Sequence, residues 1–410
     1  MILVSFEGPD PYSMAGGLGQ RVSTLAETLA DEGYETHLFF VGDPNLPGEE
    51  TRRDGRLILH RWAQWVSRFH PSGTYAGEEG KWREITYSLP PRLVAMAEEA
   101  LRQNRPCRML FEDWQCAEAA RRTAEALWYA GFSHPGLVAI AHNTNTLMQV
   151  ERGQLASLRD RLTLMTVSRF MKHALWPQQV NPVVVPNGVP ATAFDPPDSA
   201  AVTAVEALRA AGRTVLVKVA RFDPDKSWLA AIEAVGRLRD QGLRPLLLMR
   251  GGMEEHGHDV LRRIDQMGLR IRDGHDGSHV PTPDEAAPLD IWHYRARIPD
   301  AVLRGLYHAA QATLAQSGIE PFGLVGLEVM AQGGVVLTGA TGEDYARHGH
   351  NALVVETGLP GEIAHLVASV AAPNALTRRL RQGGKETAKG YKWERIIPEL
   401  LDRMSLGGEG

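Results

Sequence analysis

Cysteine is nearly absent from this sequence: in 410 residues only Cys107 and Cys116 occur. Two cysteines cannot build a disulfide framework. No cluster of metal-ligating residues surrounds either one, so both read as small buried side chains in a reducing compartment. No apolar stretch approaches the length that spans a bilayer. Residues 1–6 have no basic region followed by a long apolar core, so they read as a first strand rather than a signal peptide. An excess of positive charge is also missing. Lys and Arg number 44 against 49 Asp and Glu, a formal net charge of −5, with both signs mixed along the chain. That excludes the basic stripe of a nucleic-acid binder. These absences predict a cytoplasmic protein with no transmembrane segment and no nucleic-acid partner; peripheral membrane contact stays open. There is no G-x-S-x-G elbow, no H-E-x-x-H, no Walker A loop and no short-period repeat.

What is present is the composition of a globular protein, with 43% hydrophobic and 23% charged residues. The chain is too long for one ordinary domain and suits two. Strand-like runs fall at residues 1–6, 36–41, 57–62, 109–111, 137–140, 164–167 and 183–185. Between the first two, Val22, Leu25, Ala26 and Leu29 recur at helical spacing, with Gly33 as a stop. Residues 186–197 contain four prolines and read as a linker. Strand-like runs then resume at 215–220, 246–250, 312–315, 335–337 and 353–355. Residues 270–288, rich in Gly, Asp and Pro, read as a loop insertion. The alternation predicts an α/β protein of two doubly wound, Rossmann-like domains, residues 1–189 and 190–390. In such sheets ligands bind at the carboxyl ends of the strands, here in a cleft that the two domains face.

Four segments carry chemistry. Glu320-Pro321-Phe322-Gly323-Leu324-Val325-Gly326-Leu327-Glu328 follows a strand and opens a helix. The helix is expected to begin near Phe322 or Gly323, with Glu328 about two turns in. Exposed amides of a first helical turn form an anion site, and flanking carboxylates accept hydrogen bonds from sugar hydroxyls. Arg221 and Lys226 lie in a turn after the strand at 215–220, where fixed cations stabilise a departing diphosphate. Gly16-Gly17-Leu18-Gly19 sits between the first strand and helix. Its glycines permit close backbone approach to a ligand, but Val22 breaks the dinucleotide fingerprint. His142 follows the strand at 137–140, at the end that faces the cleft. Asp223-Pro224-Asp225 is formally a D-x-D metal motif, but a divalent ion is redundant inside a cationic turn, so no metal is expected.

Together and in this order, these pieces resemble the retaining GT-B glycosyltransferases of family GT4, the group related to glycogen and sucrose synthases. The resemblance covers nearly the whole chain. It implies two Rossmann-like domains: an acceptor-side domain at 1–189 and a nucleotide-sugar domain at 190–390. A C-terminal helix, 391–410, beginning at Tyr391-Lys392-Trp393, crosses back onto the first. It implies that Gly16, Gly17 and Gly19 lie near the donor phosphates, that His142 lies near the donor hexose, and that Arg221 and Lys226 contact the diphosphate. Glu320 would lie near the sugar ring, Glu328 on the ribose hydroxyls, and Phe322, Gly323 and Leu324 would bind sugar and phosphate through backbone amides. Thr166-Val167-Ser168 and the stretch 184–189 resemble the segments that close the first domain, and Glu112-Asp113-Trp114 is similar to an acidic-Trp segment of the glycogen and starch synthase branch, on the acceptor side.

The activity so implied is transfer of a hexose from a UDP-, ADP- or GDP-linked donor to a sugar, lipid-linked or other hydroxyl acceptor. It proceeds with retention, without metal or other cofactor, in a setting such as polysaccharide biosynthesis. The chain departs from the family where a Gly-Gly turn gives way to Thr338-Gly339-Ala340-Thr341-Gly342 and where Val335 replaces a common proline. A sugar-nucleotide epimerase of the same fold is the first rival, and it lacks this glutamate segment. A phosphorylase would need a pyridoxal-type lysine site that is not evident. A non-catalytic nucleotide-sugar-binding protein is the third alternative.

Overall fold

The computed structural model describes residues 1–132 and 137–405. The end of the expected C-terminal helix, 406–410, lies outside the described residues. The chain divides into two compact units, Met1–Pro190 with Lys392–Gly410, and Ala191–Tyr391.

The first unit is built on β1 (Ile2–Val4), β2 (Thr36–Val41), β3 (Glu49–Arg52), β4 (Leu57–Trp62), β5 (Cys107–Glu112), β6 (Val138–Thr144), β7 (Thr163–Thr166) and β8 (Val183–Val184). Their order is β3-β4-β2-β1-β5-β6-β7-β8, and every pair is parallel except β3 with β4. Parallel strands are covered on both faces, which is why they read as continuous apolar runs. Val4, Phe39 and Phe111 face one core, and Leu3, Phe40 and Leu110 face the other. Helix Trp393–Met404 contributes to the second core through Trp393, which is fully buried. Its indole Nε1 donates to Thr24 Oγ1 at 2.9 Å, and its amide donates to Val189 O at 3.2 Å. Cys107 and Cys116 are free and buried.

The second unit carries β9 (Thr214–Val219), β10 (Pro245–Arg250), β11 (Ile271–Gly274), β12 (Ile291–Tyr294), β13 (Ala312–Leu314), β14 (Val336–Thr338) and β15 (Leu353–Val354). The order is β11-β12-β10-β9-β13-β14-β15, all parallel. Residues 270–288 are therefore not a loop insertion. They begin with an edge strand, in which Ile271 pairs with Ile291, and end in the helical turn Pro283–Ala286, closed by a capping box of Thr282 and Glu285. The buried Arg213 guanidinium holds the segment down by donating to Ala286 O at 2.8 Å and Pro245 O at 2.6 Å. The Gly- and Pro-rich composition belongs to the turn between these pieces.

In both sheets the first strand of the unit has neighbours reached by opposite routes. β1 lies between β2 and β5, and β9 lies between β10 and β13. The carboxyl ends of β1 and β5, and of β9 and β13, are thus topological switch points, where diverging connections open a crevice.

Trp393→Ala removes a large buried side chain and the donor to Thr24 Oγ1, whose hydroxyl still donates to Gln20 O at 2.8 Å. It should destabilise the first unit by about 3–5 kcal/mol, measured by urea unfolding of the full chain. A loss below roughly 1 kcal/mol would show that this helix is not part of the core.

Candidate functional site

At the second unit's switch point, β9 ends in a turn that carries Arg221 and Lys226, and β13 ends in a loop that carries Glu320. Asp223 shapes the turn by accepting from the amide of Asp225 at 3.0 Å. The Lys226 ammonium lies 2.6 Å from Glu320 Oε2, with side-chain exposures of 25% and 16%. The structure thus joins two of the expected site residues directly. Thr341 locks the Glu320 backbone, its hydroxyl accepting from the Glu320 amide at 2.9 Å. Arg221 is not part of this pair. It is exposed, with its guanidinium 3.7 Å from Asp223.

The helix after Glu320 runs Leu324–Ala331, with Gly323 as its N-cap. Its start lies beyond the expected Phe322 or Gly323, and Glu328 stands one turn in rather than two. Gly323 adopts φ +76°, where a side chain is strained, and a Cβ there would come 2.7 Å from Glu343 Cγ. Phe322 is buried, with its ring 5.8 Å from that of Tyr345, so only its backbone serves the crevice. Tyr345 donates its hydroxyl to Gly323 O. The first-turn amides at Leu324 and Val325 therefore open on a rigidly held glycine turn, as an anion site requires. Glu328 is half-buried. Desolvation, with the Asp300 carboxylate adding to it, pushes its carboxyl up to about 7.

In the first unit, Glu7 at the end of β1 fills the glycine loop. Its Oε2 accepts from the amides of Ala15 at 3.1 Å, Gly16 at 2.9 Å and Gly19 at 2.9 Å, and its Oε1 accepts from Tyr75 at 2.6 Å. The amides of Gly16 and Gly19 are thus held by an internal carboxylate, while Gly17 remains exposed at the helix start. A Cβ on Gly19 would lie 2.9 Å from Glu7 Oε2. His142, on β6, is fully buried. Its Nε2 pairs with Asp113 O at 2.9 Å, Nδ1 has no partner, and burial lowers its pKa, which favours the neutral ring. Beside it, the Glu112 carboxylate receives Arg21 at 3.1 Å and the amides of Asn143 at 2.9 Å and Asn145 at 2.5 Å. Asp113 sits at φ 63°, ψ 172°, a strained conformation of the kind found at functional sites. Burial pushes its carboxyl up to about 7.

Three residues near the Lys226–Glu320 pair escaped the sequence reading. Lys218, on β9, is buried and donates to Leu314 O at 3.1 Å. Gln316 is buried with neither amide atom partnered. Glu343 is buried too; its Oε1 accepts from the Gly339 amide at 3.3 Å and its Oε2 has no partner. Desolvation, reinforced by the Glu320 charge, pushes Glu343 up to about 8. The one sequence signal for these was a lysine inside the apolar run Val215-Leu216-Val217-Lys218-Val219. Among the described residues no group of three or more His, Cys, Asp or Glu could hold a metal ion, and no helix is long and apolar enough to cross a membrane.

Residues 205–387 match the family model described as Glycosyl transferases group 1. The D-inositol 3-phosphate glycosyltransferase of Geodermatophilus obscurus is 28% identical over 55% of this chain and 48% of its own length, so the match spans about half of that relative. The sucrose-phosphate synthase of Thermosynechococcus elongatus superposes with a TM-score of 0.69 at 20% identity, covering 98% of this chain and 97% of that one. The E. coli trehalose-6-phosphate structure bound with UDP-2-fluoro glucose gives 0.65 at 12% identity, with 99% of each chain covered. At these identities the likeness establishes the fold, the two-domain α/β GT-B class.

Glu343 supplies a pH signature. Its folded pKa lies above its unfolded value of 4.5, so between about pH 4.5 and 8 the folded state binds more protons and stability falls as pH rises. Glu343→Gln removes that ionisation. Its thermal midpoint should match the wild type near pH 5 and exceed it at pH 8. A difference that does not change with pH would show that Glu343 ionises normally.

Proposed function

We propose that this chain, whose residues 205–387 match the group 1 glycosyltransferase family model, transfers a hexose from a nucleoside-diphosphate sugar to a hydroxyl acceptor, retaining the anomeric configuration and using no metal. One observation carries the reading: a lysine and a glutamate from the loops that follow the two strands flanking the switch point meet at 2.6 Å beside a helix that opens on Gly323.

The Lys226–Glu320 pair is a cation already compensated by a carboxylate. A donor diphosphate competes for Lys226, with the amides of Leu324 and Val325 completing its cradle. Glu320, released, accepts hydrogen bonds from hexose hydroxyls. Glu328, one turn along the same helix, accepts from ribose hydroxyls in this reading. Arg221 is exposed and free to swing onto the phosphates. His142 and the glycine loop belong to the first unit.

In the reaction the bond from the anomeric carbon to the phosphate oxygen breaks. A bond from the acceptor oxygen forms on the same face, and the acceptor proton passes to the departing phosphate. Negative charge grows on the leaving diphosphate, and Lys226 stabilises that charge more than the ground state. Lysine, arginine and helix amides supply the positive charge that a divalent ion would otherwise provide. The name of the relatives makes a phosphorylated polyol one acceptor to assay, alongside sugars and lipid-linked sugars.

Lys226→Ala should lower kcat by about 10²–10³ in a transfer or donor-hydrolysis assay, with a smaller change in KM. Unchanged turnover would remove Lys226 from the mechanism. Activity should be unaffected by EDTA; loss with EDTA and recovery with Mg²⁺ would contradict the metal-free reading.

A further inference from the structure

Lys218 is a buried cation without a carboxylate. It lies on the last turn of strand before the Lys226 loop, 2% exposed, in a position where the neighbouring residues of β9 are apolar. Its Nζ donates to the main-chain oxygens of Leu314 at 3.1 Å and Gln316 at 3.4 Å and stands 5.2 Å from the centre of the Trp228 ring. Leu314 ends β13, and Gln316 lies two residues on, in the loop that delivers Glu320. A charge buried without a counter-ion is costly, so its retention calls for a role.

We propose that Lys218 is a positioning residue and hidden second cation of the donor site, fixing the root of the Glu320 loop and lending positive charge beneath Lys226 that an incoming diphosphate compensates. The proposal rests on the donor-site reading above. Three features support it. The two carbonyls that Lys218 holds lie at the start of the segment that leads to Glu320, ahead of Gly318, whose amide donates to Asp225 O at 2.7 Å, so losing the lysine loosens the root of that loop. Gln316, whose carbonyl it holds, keeps both side-chain amide atoms buried and unpartnered, leaving hydrogen-bonding capacity at the same spot. Burial, aided by repulsion from Lys226, lowers the Lys218 ammonium to about 7. The ionisable group that acts on it is Lys226, from the turn after β9; Trp228 adds a neutral ring.

The consequence is a proton-linked donor site. With Lys226 engaged to Glu320, Lys218 is partly neutral just above pH 7. A diphosphate that arrives at Lys226 favours the charged form of Lys218, and binding takes up a proton. Isothermal titration of the full chain with UDP, ADP and GDP at pH 7.5, in buffers of different ionisation enthalpy, reads that proton directly. The wild type should bind one of the three with uptake of a fraction of a proton. Lys218→Met, which keeps the length of the side chain and removes the buried charge, should keep its thermal midpoint, bind that nucleotide about tenfold more weakly (roughly 1.4 kcal/mol) and show reduced uptake. Equal proton uptake in the two proteins, whatever their affinities, overturns the proposal. If the wild type binds none of the three nucleotides, the donor-site reading fails and takes this inference with it.

Discussion

Everything proposed for this protein depends on a lysine held against a glutamate where two parallel strands part. Lys226 and Glu320 come from the loops that follow β9 and β13, strands that the sheet order makes adjacent although they lie far apart in sequence. The pair is largely shielded from water, so its attraction exceeds that of a surface ion pair. On the proposed reading a diphosphate displaces the glutamate, because it offers more acceptor oxygens than one carboxylate and a helix terminus lies beside it. The second-unit fold can be seen as the apparatus that sets this cation, this carboxylate and these amides at one point.

The two units solve the same geometric problem differently. Each has a glycine-bearing turn between a sheet and the helix that follows it. In the first, the Glu7 carboxylate fills the turn and binds three amides, with Tyr75 holding its other oxygen. In the second, the turn at Gly323 is braced from behind by Tyr345 and Glu343. On the proposed reading an anion takes the second turn, where the first holds the Glu7 carboxylate. That asymmetry favours phosphate binding in the second unit and a polar, neutral ligand near the Glu112, Asp113 and His142 network of the first.

Much of this was legible in the sequence, for identifiable reasons. Buried parallel strands need unbroken apolar runs, so Thr36–Val41 and Leu57–Trp62 are visible to the residue. β3 was not, because an exposed antiparallel edge such as Glu-Glu-Thr-Arg has no apolar side to show. β11 and β12 were hidden by a Gly- and Pro-rich neighbourhood, although Ile-Trp-His-Tyr is fully buried. The Lys226 and Glu320 positions followed from motif and strand order. The roles of Glu7, Lys218 and Glu343 did not, because each depends on a contact across the fold: an amide loop, a carbonyl pair and a glycine turn. Charged residues look solvated until the chain surrounds them.

The decisive measurement is the structure of a crystal soaked with the nucleoside diphosphate that binds. The account predicts phosphate oxygens within hydrogen-bonding distance of Lys226 Nζ and of the Leu324 or Val325 amide, with Glu320 displaced from the lysine. Phosphates seated elsewhere, with the Lys226–Glu320 pair intact, would contradict it.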